Sequence, residues 1–220
     1  SFKKGHVYCL PKTEDDIATV GNIRPITLLE QMQLKLFTKI MMGRINAVME
    51  VNKGKLLNAS QFAGTKGGCT SDPLYVRRAV VEHCREVGKE AHIFDSDISK
   101  AFDSVHFWSL RMALERLSMP PHAIDIIMSC QGGESKVMLG GRVTNGYEVQ
   151  KGVRQGEMMS PFLWVAFTDM LLAAQEKVGE GIVVGQKEGY TARVMGTCYM
   201  DDSVWYSETR EELQRRVEVQ

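Results

Sequence analysis

The chain has 220 residues, 44% hydrophobic and 25% charged, with a formal net charge of zero. That is enough apolar material for one large domain or two small lobes, and it excludes the disordered and collagen-like classes. Zero net charge argues against indiscriminate electrostatic binding to nucleic acid over the whole surface, while leaving room for a local basic groove. No apolar run reaches the roughly 18 residues a membrane span requires, and Ser1-Phe2-Lys3-Lys4-Gly5 is not followed by an apolar signal core. A protein of the cell interior, nuclear or cytoplasmic and with no membrane partner, is expected. The chain starts at Ser1 and stops at Gln220 inside a charged stretch, which reads as an excerpt of a longer polypeptide. Cys9, Cys69, Cys84, Cys130 and Cys198 are odd in number and widely spaced, without a C-x-x-C, as expected for a reducing compartment without a zinc site.

In chain order, Leu28 to Val51 carries apolar residues at Leu28, Met32, Leu36, Ile40 and Ile45, close to helical spacing, with Lys35, Lys39 and Arg44 between them. This predicts an amphipathic helix with its apolar face on the core. Thr70-Ser71-Asp72-Pro73 reads as a helix start capped by a small polar residue, leading into Leu74 to Val87 and a stop at Gly88. Ala91 to Ile98 reads as a strand, followed by helices over His106 to Leu117 and Pro121 to Gln131, the second opened by Pro120-Pro121. Ser135 to Leu139 and Arg142 to Val149 read as a hairpin about Gly140-Gly141. Gly152 to Gly156 reads as a loop, Ser160-Pro161 opens an apolar helix running to Lys177, and Glu208 to Val217 reads as a final surface helix. Strands and helices interleave without a strict βαβ rhythm, which favours an α+β layered fold.

Two features carry chemistry. Tyr199-Met200-Asp201-Asp202 sets two adjacent carboxylates between apolar stretches, at a tight turn between strands from which both can project. Like charges in that setting call for a cation or a metal. A third carboxylate lies in Phe94-Asp95-Ser96-Asp97-Ile98, where Asp95 and Asp97 share one face of a regular strand and either could meet the acidic turn. Three aspartates from neighbouring strands form a hard-oxygen site suited to Mg²⁺.

Three segments, Asp97-Ile98-Ser99-Lys100-Ala101-Phe102-Asp103-Ser104-Val105, Gly152-Val153-Arg154-Gln155-Gly156 with Ser160-Pro161, and Tyr199-Met200-Asp201-Asp202, resemble the three core motifs of reverse transcriptases, in the family's order. Leu10-Pro11-Lys12, Asn22-Ile23-Arg24-Pro25-Ile26 and Ser60-Gln61-Phe62-Ala63-Gly64 with Gly68-Cys69-Thr70-Ser71-Asp72 resemble the upstream signatures of the non-LTR retrotransposon type. The resemblance covers roughly residues 7 to 216.

The resemblance implies a right-hand polymerase lacking its thumb, with fingers over residues 1–90, a palm over 91–220 whose antiparallel sheet packs on helices, and 121–150 open as a fingers insertion. It implies RNA-directed DNA polymerisation by a piece of a retroelement polyprotein, joining dNTPs to the 3′-hydroxyl of a DNA or RNA primer on an RNA template. Two Mg²⁺ ions, with Mn²⁺ as a substitute, are implied as cofactors. In the family an aromatic residue stands five positions after the catalytic aspartate, and Phe102 stands so to Asp97, while five after Asp95 is Lys100. The resemblance thus assigns catalysis and metal binding to Asp97, Asp201 and Asp202, leaving Asp95 to a salt bridge or solvent. Phe102 would lie under the sugar and reject a 2′-OH. Gln155 would lie beside the dNTP, Arg24 and Lys12 would hold its triphosphate, and Arg154 would meet the nucleic-acid backbone or a nearby acid. Met200 stands where non-LTR enzymes usually have alanine, and Glu157-Met158-Met159 replaces the usual acid, proline and apolar residue, so these positions leave the subfamily open. The alternatives are an RNA-directed RNA polymerase, and an inactive relic or nucleic-acid-binding scaffold that keeps the fold.

Overall fold

Two stretches near the start of the chain, Gly5–Pro11 and Ile23–Leu29, form strands β1 and β2, paired antiparallel from Gly5↔Leu29 to Pro11↔Ile23. Pro25 restricts Arg24 to extended backbone and lacks an N–H for the ladder, so β2 is tolerated where it stands, at a sheet edge. The structure is a computed structural model that describes residues 5–11, 23–29, 32–52, 56–64, 68–139, 141–185 and 191–219. It divides into two units, Ser1–Asn52 with Lys100–Trp164 and Lys53–Ser99 with Val165–Gln220.

In the first unit, helix α1 (Met32–Val51) follows β2. Leu28 and Leu29 therefore end a strand rather than begin the helix expected from Leu28 onward; the β-branched run and Pro25 override the helical spacing. The buried face of α1 also differs from expectation: Leu34 and Thr38 are buried while Leu36 and Ile40 are exposed. Leu34 packs with Phe37 against Cys130. After the one-turn α3 (Ala101–Ser104), α4 (Phe107–Arg116) and α5 (Pro121–Gln131) pack together and bury Leu110, Ala113, Leu114, Ile124 and Ile127. Strand β4 (Gly133–Leu139) runs parallel to β1 and antiparallel to both β5 (Arg142–Val143) and β6 (Tyr147–Val149). The sheet order is β2-β1-β4-β5, with β6 also on β4.

The second unit is a sheet covered on both faces. Helix α2 (Ser71–Val87) ends where Gly88 takes a left-handed φ of 68°. Its start is not capped by Thr70; Asp72 accepts the Cys69 N–H at 2.8 Å instead. Strands β3 (His92–Asp97), β9 (Gly196–Tyr199) and β10 (Asp202–Ser207) form an antiparallel sheet in the order β3-β10-β9, and β7 (Ile182–Val184) pairs β8 (Ala192–Val194). One sheet face presents Ile93, Val204 and Tyr206 to Val80 and Cys84 of α2. The other presents Phe94, Cys198 and Trp205 to Leu171 and Leu172 of α6 (Ser160–Gln175), and to Leu213 of α7 (Arg210–Val219). Alternation along the strands sends successive side chains to these two cores.

Helix α7, expected on the surface, is anchored by a buried charge. Arg216 is 0% exposed and donates to the carbonyls of Gln175 and Gly179, each at 3.0 Å, and to Glu212 Oε1 at 2.7 Å. A cation on carbonyls at the end of α6 also suits that helix's dipole. Burial pushes the Glu212 carboxyl up, but hydrogen bonds from the Gly181 N–H, Arg216 and the Ser207 hydroxyl outweigh it and hold the carboxyl low. In the first unit Glu157, 7% exposed, behaves oppositely. Burial raises its carboxyl; Arg154 and the Gln131 amide favour the charged form without overcoming that, and neither carboxylate oxygen has a hydrogen bond of full geometry.

Arg216→Leu should destabilise by about 3–5 kcal/mol in chemical denaturation, because it strands the Glu212 charge. Wild-type stability should also fall as pH drops below Glu212's ordinary 4.5, since the native state binds fewer protons, and Arg216→Leu should blunt that fall. Glu157 has the reverse sign: the native state binds the extra proton, so its contribution is complete below 4.5 and lost as pH rises through the raised native value. Glu157→Gln should remove this decline and gain about 1 kcal/mol at neutral pH. A loss there would instead mean that attraction to Arg154 dominates.

Candidate functional site

The acidic turn is a two-residue hairpin. Tyr199 pairs Asp202 across β9 and β10, leaving Met200 and Asp201 as the loop. Met200 has φ 56°, and Asp201 is not among the residues with positive φ, the pattern of a turn that usually takes glycine first. A methionine there costs about 1–2 kcal/mol of backbone strain. The surrounding structure must hold it.

In the β3–β10 register Asp202 stands directly opposite Asp97, so their side chains share a sheet face, and Asp201 precedes Asp202 at the turn. Burial pushes the Asp202 carboxyl up, and the charges of Asp201 and Asp97 push it further. Among the described residues no cation pairs with any of the three. Asp95 belongs elsewhere: it faces Val204 in the register and takes both guanidinium nitrogens of Arg77, at 2.8 and 3.3 Å. The donor set is all hard oxygen and carries uncompensated negative charge, which fits a hard divalent cation. Among the described residues no group of three or more His, Cys, Asp or Glu side chains is arranged to hold a metal ion as they stand.

The first unit holds the other described candidates. Phe102 lies on α3, half-buried, with its ring centroid 5.3 Å from that of Trp164. Two backbone hydrogen bonds of 2.7 Å join this segment to the glycine-rich loop: Gly152 N–H donates to Val105 C=O, and Val153 N–H to Phe102 C=O. Such approach demands glycine, because Gly152 has φ +96° and a Cβ there would stand 3.2 Å from Asp103 Cα. Gly156 likewise has φ +94°, with Thr27 C=O 3.2 Å from where its Cβ would be. Thr27 N–H donates to Gln155 C=O at 2.9 Å, tying the loop to β2, on which Arg24 is exposed. Gln155 is half-buried between these anchors. Lys12 lies outside the described residues.

Arg154 is not free to meet a nucleic-acid backbone. It is 4% exposed, and Nε and Nη2 donate to the carbonyls of Gln131 and Gly132, at 3.2 and 2.9 Å, where α5 ends. The Ser160 hydroxyl donates to its carbonyl. Of the two roles the sequence allowed, only the nearby acid survives, since Glu157 interacts with it electrostatically. Sequence reasoning also gave no role to Gln61, whose side chain reaches the Met200 N–H. The available signal was a polar residue set between short apolar stretches.

Among the described residues no helix is long and apolar enough to cross a membrane. Residues 10–220 match the sequence model of the family described as reverse transcriptase (RNA-dependent DNA polymerase). Curated relatives include the Pol polyprotein of a type-1 R2 retrotransposable element from Popillia japonica, 29% identical over 182 residues, which cover 81% of this chain and 24% of the relative. The polyprotein of the type-2 element R2DM from Drosophila melanogaster is 26% identical over 180 residues, covering 80% of this chain and 16% of the relative. The chain thus spans a quarter or less of the length of these relatives. Solved structures of similar fold include apo telomerase from Candida tropicalis, with a TM-score of 0.66 and 10% identity over 99% of this chain and 41% of that one. Telomerase from Candida albicans in complex with a telomeric RNA fragment has a TM-score of 0.65 and 10% identity over 98% of this chain and 38% of that one. The mixed helix-and-sheet architecture is therefore that of a polymerase, the relatives agree with the non-LTR resemblance, and the chain belongs to the reverse transcriptase (RNA-dependent DNA polymerase) family.

Proposed function

We propose that this chain is the RNA-directed DNA polymerase segment of an R2-like retroelement polyprotein, extending a primer 3′-hydroxyl with dNTPs on an RNA template. One observation carries the reading: Asp97 and Asp202 face each other across β3 and β10 beside Asp201, with no cation pairing any of them among the described residues. Residues 1–90 are assigned to fingers and 91–220 to palm, with 121–150 as a fingers insertion. The parallel pairing of β4 with β1 supports that insertion.

Asp97, Asp201 and Asp202 would hold two Mg²⁺ ions, replaceable by Mn²⁺, which when bound acidify the primer hydroxyl and neutralise charge on the departing pyrophosphate. The remaining residues supply position and selection. Phe102, with its carbonyl fixed by Val153 and its ring backed by Trp164, has little freedom to yield to a 2′-hydroxyl. Gln155, presented by a loop bonded at both ends, offers a carboxamide to the nucleotide. Arg24, which is exposed, and Lys12 provide cations for the triphosphate.

In primer extension by the full parent polypeptide, Asp97→Asn together with Asp201→Asn should abolish incorporation, a loss of at least about 10³-fold. Activity surviving that pair would overturn the assignment. Phe102→Ala should raise rNTP relative to dNTP use by about tenfold or more, as relief of one steric clash allows. An unchanged ratio would return Phe102 to a packing role and reopen the choice of product.

A further inference from the structure

The strained turn needs a restraint, and the second unit contains one. Gln61 is 4% exposed, and both ends of its carboxamide are hydrogen-bonded. Its Oε1 accepts the backbone N–H of Ala63 at 3.1 Å and that of Met200 at 3.3 Å, while Nε2 donates to Thr168 Oγ1 at 3.3 Å. The Thr168 hydroxyl in turn donates to the Val165 carbonyl at 3.2 Å on α6, so the amide cannot rotate without breaking contacts on both sides. The backbone of this segment is fixed independently. Cys198 N–H donates to Ser60 C=O at 2.7 Å and Phe62 N–H to Cys198 C=O at 2.9 Å, which lays Gln61 parallel against β9 two residues before the turn.

We propose that Gln61 is the positioning residue of the acidic turn: by holding the Met200 N–H it fixes the left-handed residue of the hairpin and thereby the direction in which Asp201 and Asp202 project. A core amide with a packing role alone would need no bond to the one residue of this turn with unfavourable backbone. Gln61 instead bridges that residue to α6 through Thr168. The inference rests on the reading of Asp201 and Asp202 as metal ligands, while the Gln61–Met200 contact can be tested without it.

The test uses the full parent polypeptide with Gln61→Met, which keeps the side-chain volume and removes the acceptor, Gln61→Glu, which keeps an acceptor oxygen, and Thr168→Val, which frees the amide. Amide hydrogen exchange at Met200 without metal reads the hydrogen bond directly. Calorimetric Mn²⁺ binding and the half-saturating Mg²⁺ for primer extension read its consequence. Gln61→Met should speed Met200 exchange and weaken Mn²⁺ and Mg²⁺ affinity by about fivefold each, with the dNTP KM unchanged. Thr168→Val should move both in the same direction by less, and Gln61→Glu should restore most of each. Unchanged Met200 exchange and metal affinity in Gln61→Met overturn the proposal, as does a Gln61→Glu protein that behaves like Gln61→Met. If Gln61→Met does not fold, Thr168→Val decides alone, an unchanged Met200 exchange counting against the proposal. Mg²⁺-dependent extension that survives Asp201→Asn would instead overturn the reading of the turn, whatever Gln61 does to exchange.

Discussion

Mutual repulsion of carboxylates at one end of a three-stranded sheet is the constraint on which the second unit depends. Asp97 and Asp202 oppose each other in register, Asp201 adds a third charge, and no described cation offsets them. Left to itself such an arrangement would splay. It is held because the same strands are fixed behind the acids by two apolar cores: Ile93 and Tyr206 against α2 on one face, Phe94 and Trp205 against α6 and α7 on the other. Asp97 and Asp202 share the α2 face with Ile93 and Tyr206, so a one-residue slip in β3 or β10 would turn an acid toward α6 and α7 and take Phe94 or Trp205 out of its own core. The cores that stabilise the sheet thus also enforce the register that brings the acids together.

A second device relieves charge near the site. Arg77 on α2 engages both oxygens of Asp95, which shares the face of Asp97 two residues along the strand. With Asp95 neutralised, the uncompensated charge is confined to the end of the sheet. The pair is partly exposed and contributes little to stability, so its effect is to shape the field rather than to hold the fold.

The punctuation and periodicities in this sequence disclosed α2, α4, α5 and α6 to within a few residues: proline or glycine marks an end of α2, α5 and α6, and α4 carries a buried stripe of Leu110, Ala113 and Leu114. They misplaced the start of α1, where Leu28 and Leu29 satisfy a helical spacing and a strand equally well, and pairing with β1 decides in favour of the strand. They gave no hint that Arg216 is buried, since a cation in a charged helix looks solvated until the carbonyls at the end of α6 are seen beside it. The acids at 97, 201 and 202 and the glycines at 152 and 156 were legible because each stands in a local pattern. Gln61 and Arg154 stand in local motifs, but the Met200 N–H and the carbonyls of Gln131 and Gly132 that they hold are distant in sequence, so the motifs could not disclose those contacts.

For Phe102 the packing role seen in the structure and the selective role proposed for it need not compete. A ring that discriminates by steric exclusion must be stiff, because a side chain free to change rotamer would admit the group it is meant to reject. Packing against Trp164, itself fully buried, supplies stiffness on one side of the ring, and the Val153 N–H on the Phe102 carbonyl supplies it in the backbone. The same bonds tie Phe102 to the loop that carries Gln155, so the two residues form one rigid element within their unit. A substitution that loosened the loop, at Gly152 for instance, would therefore disturb the discrimination proposed for Phe102 without touching its side chain.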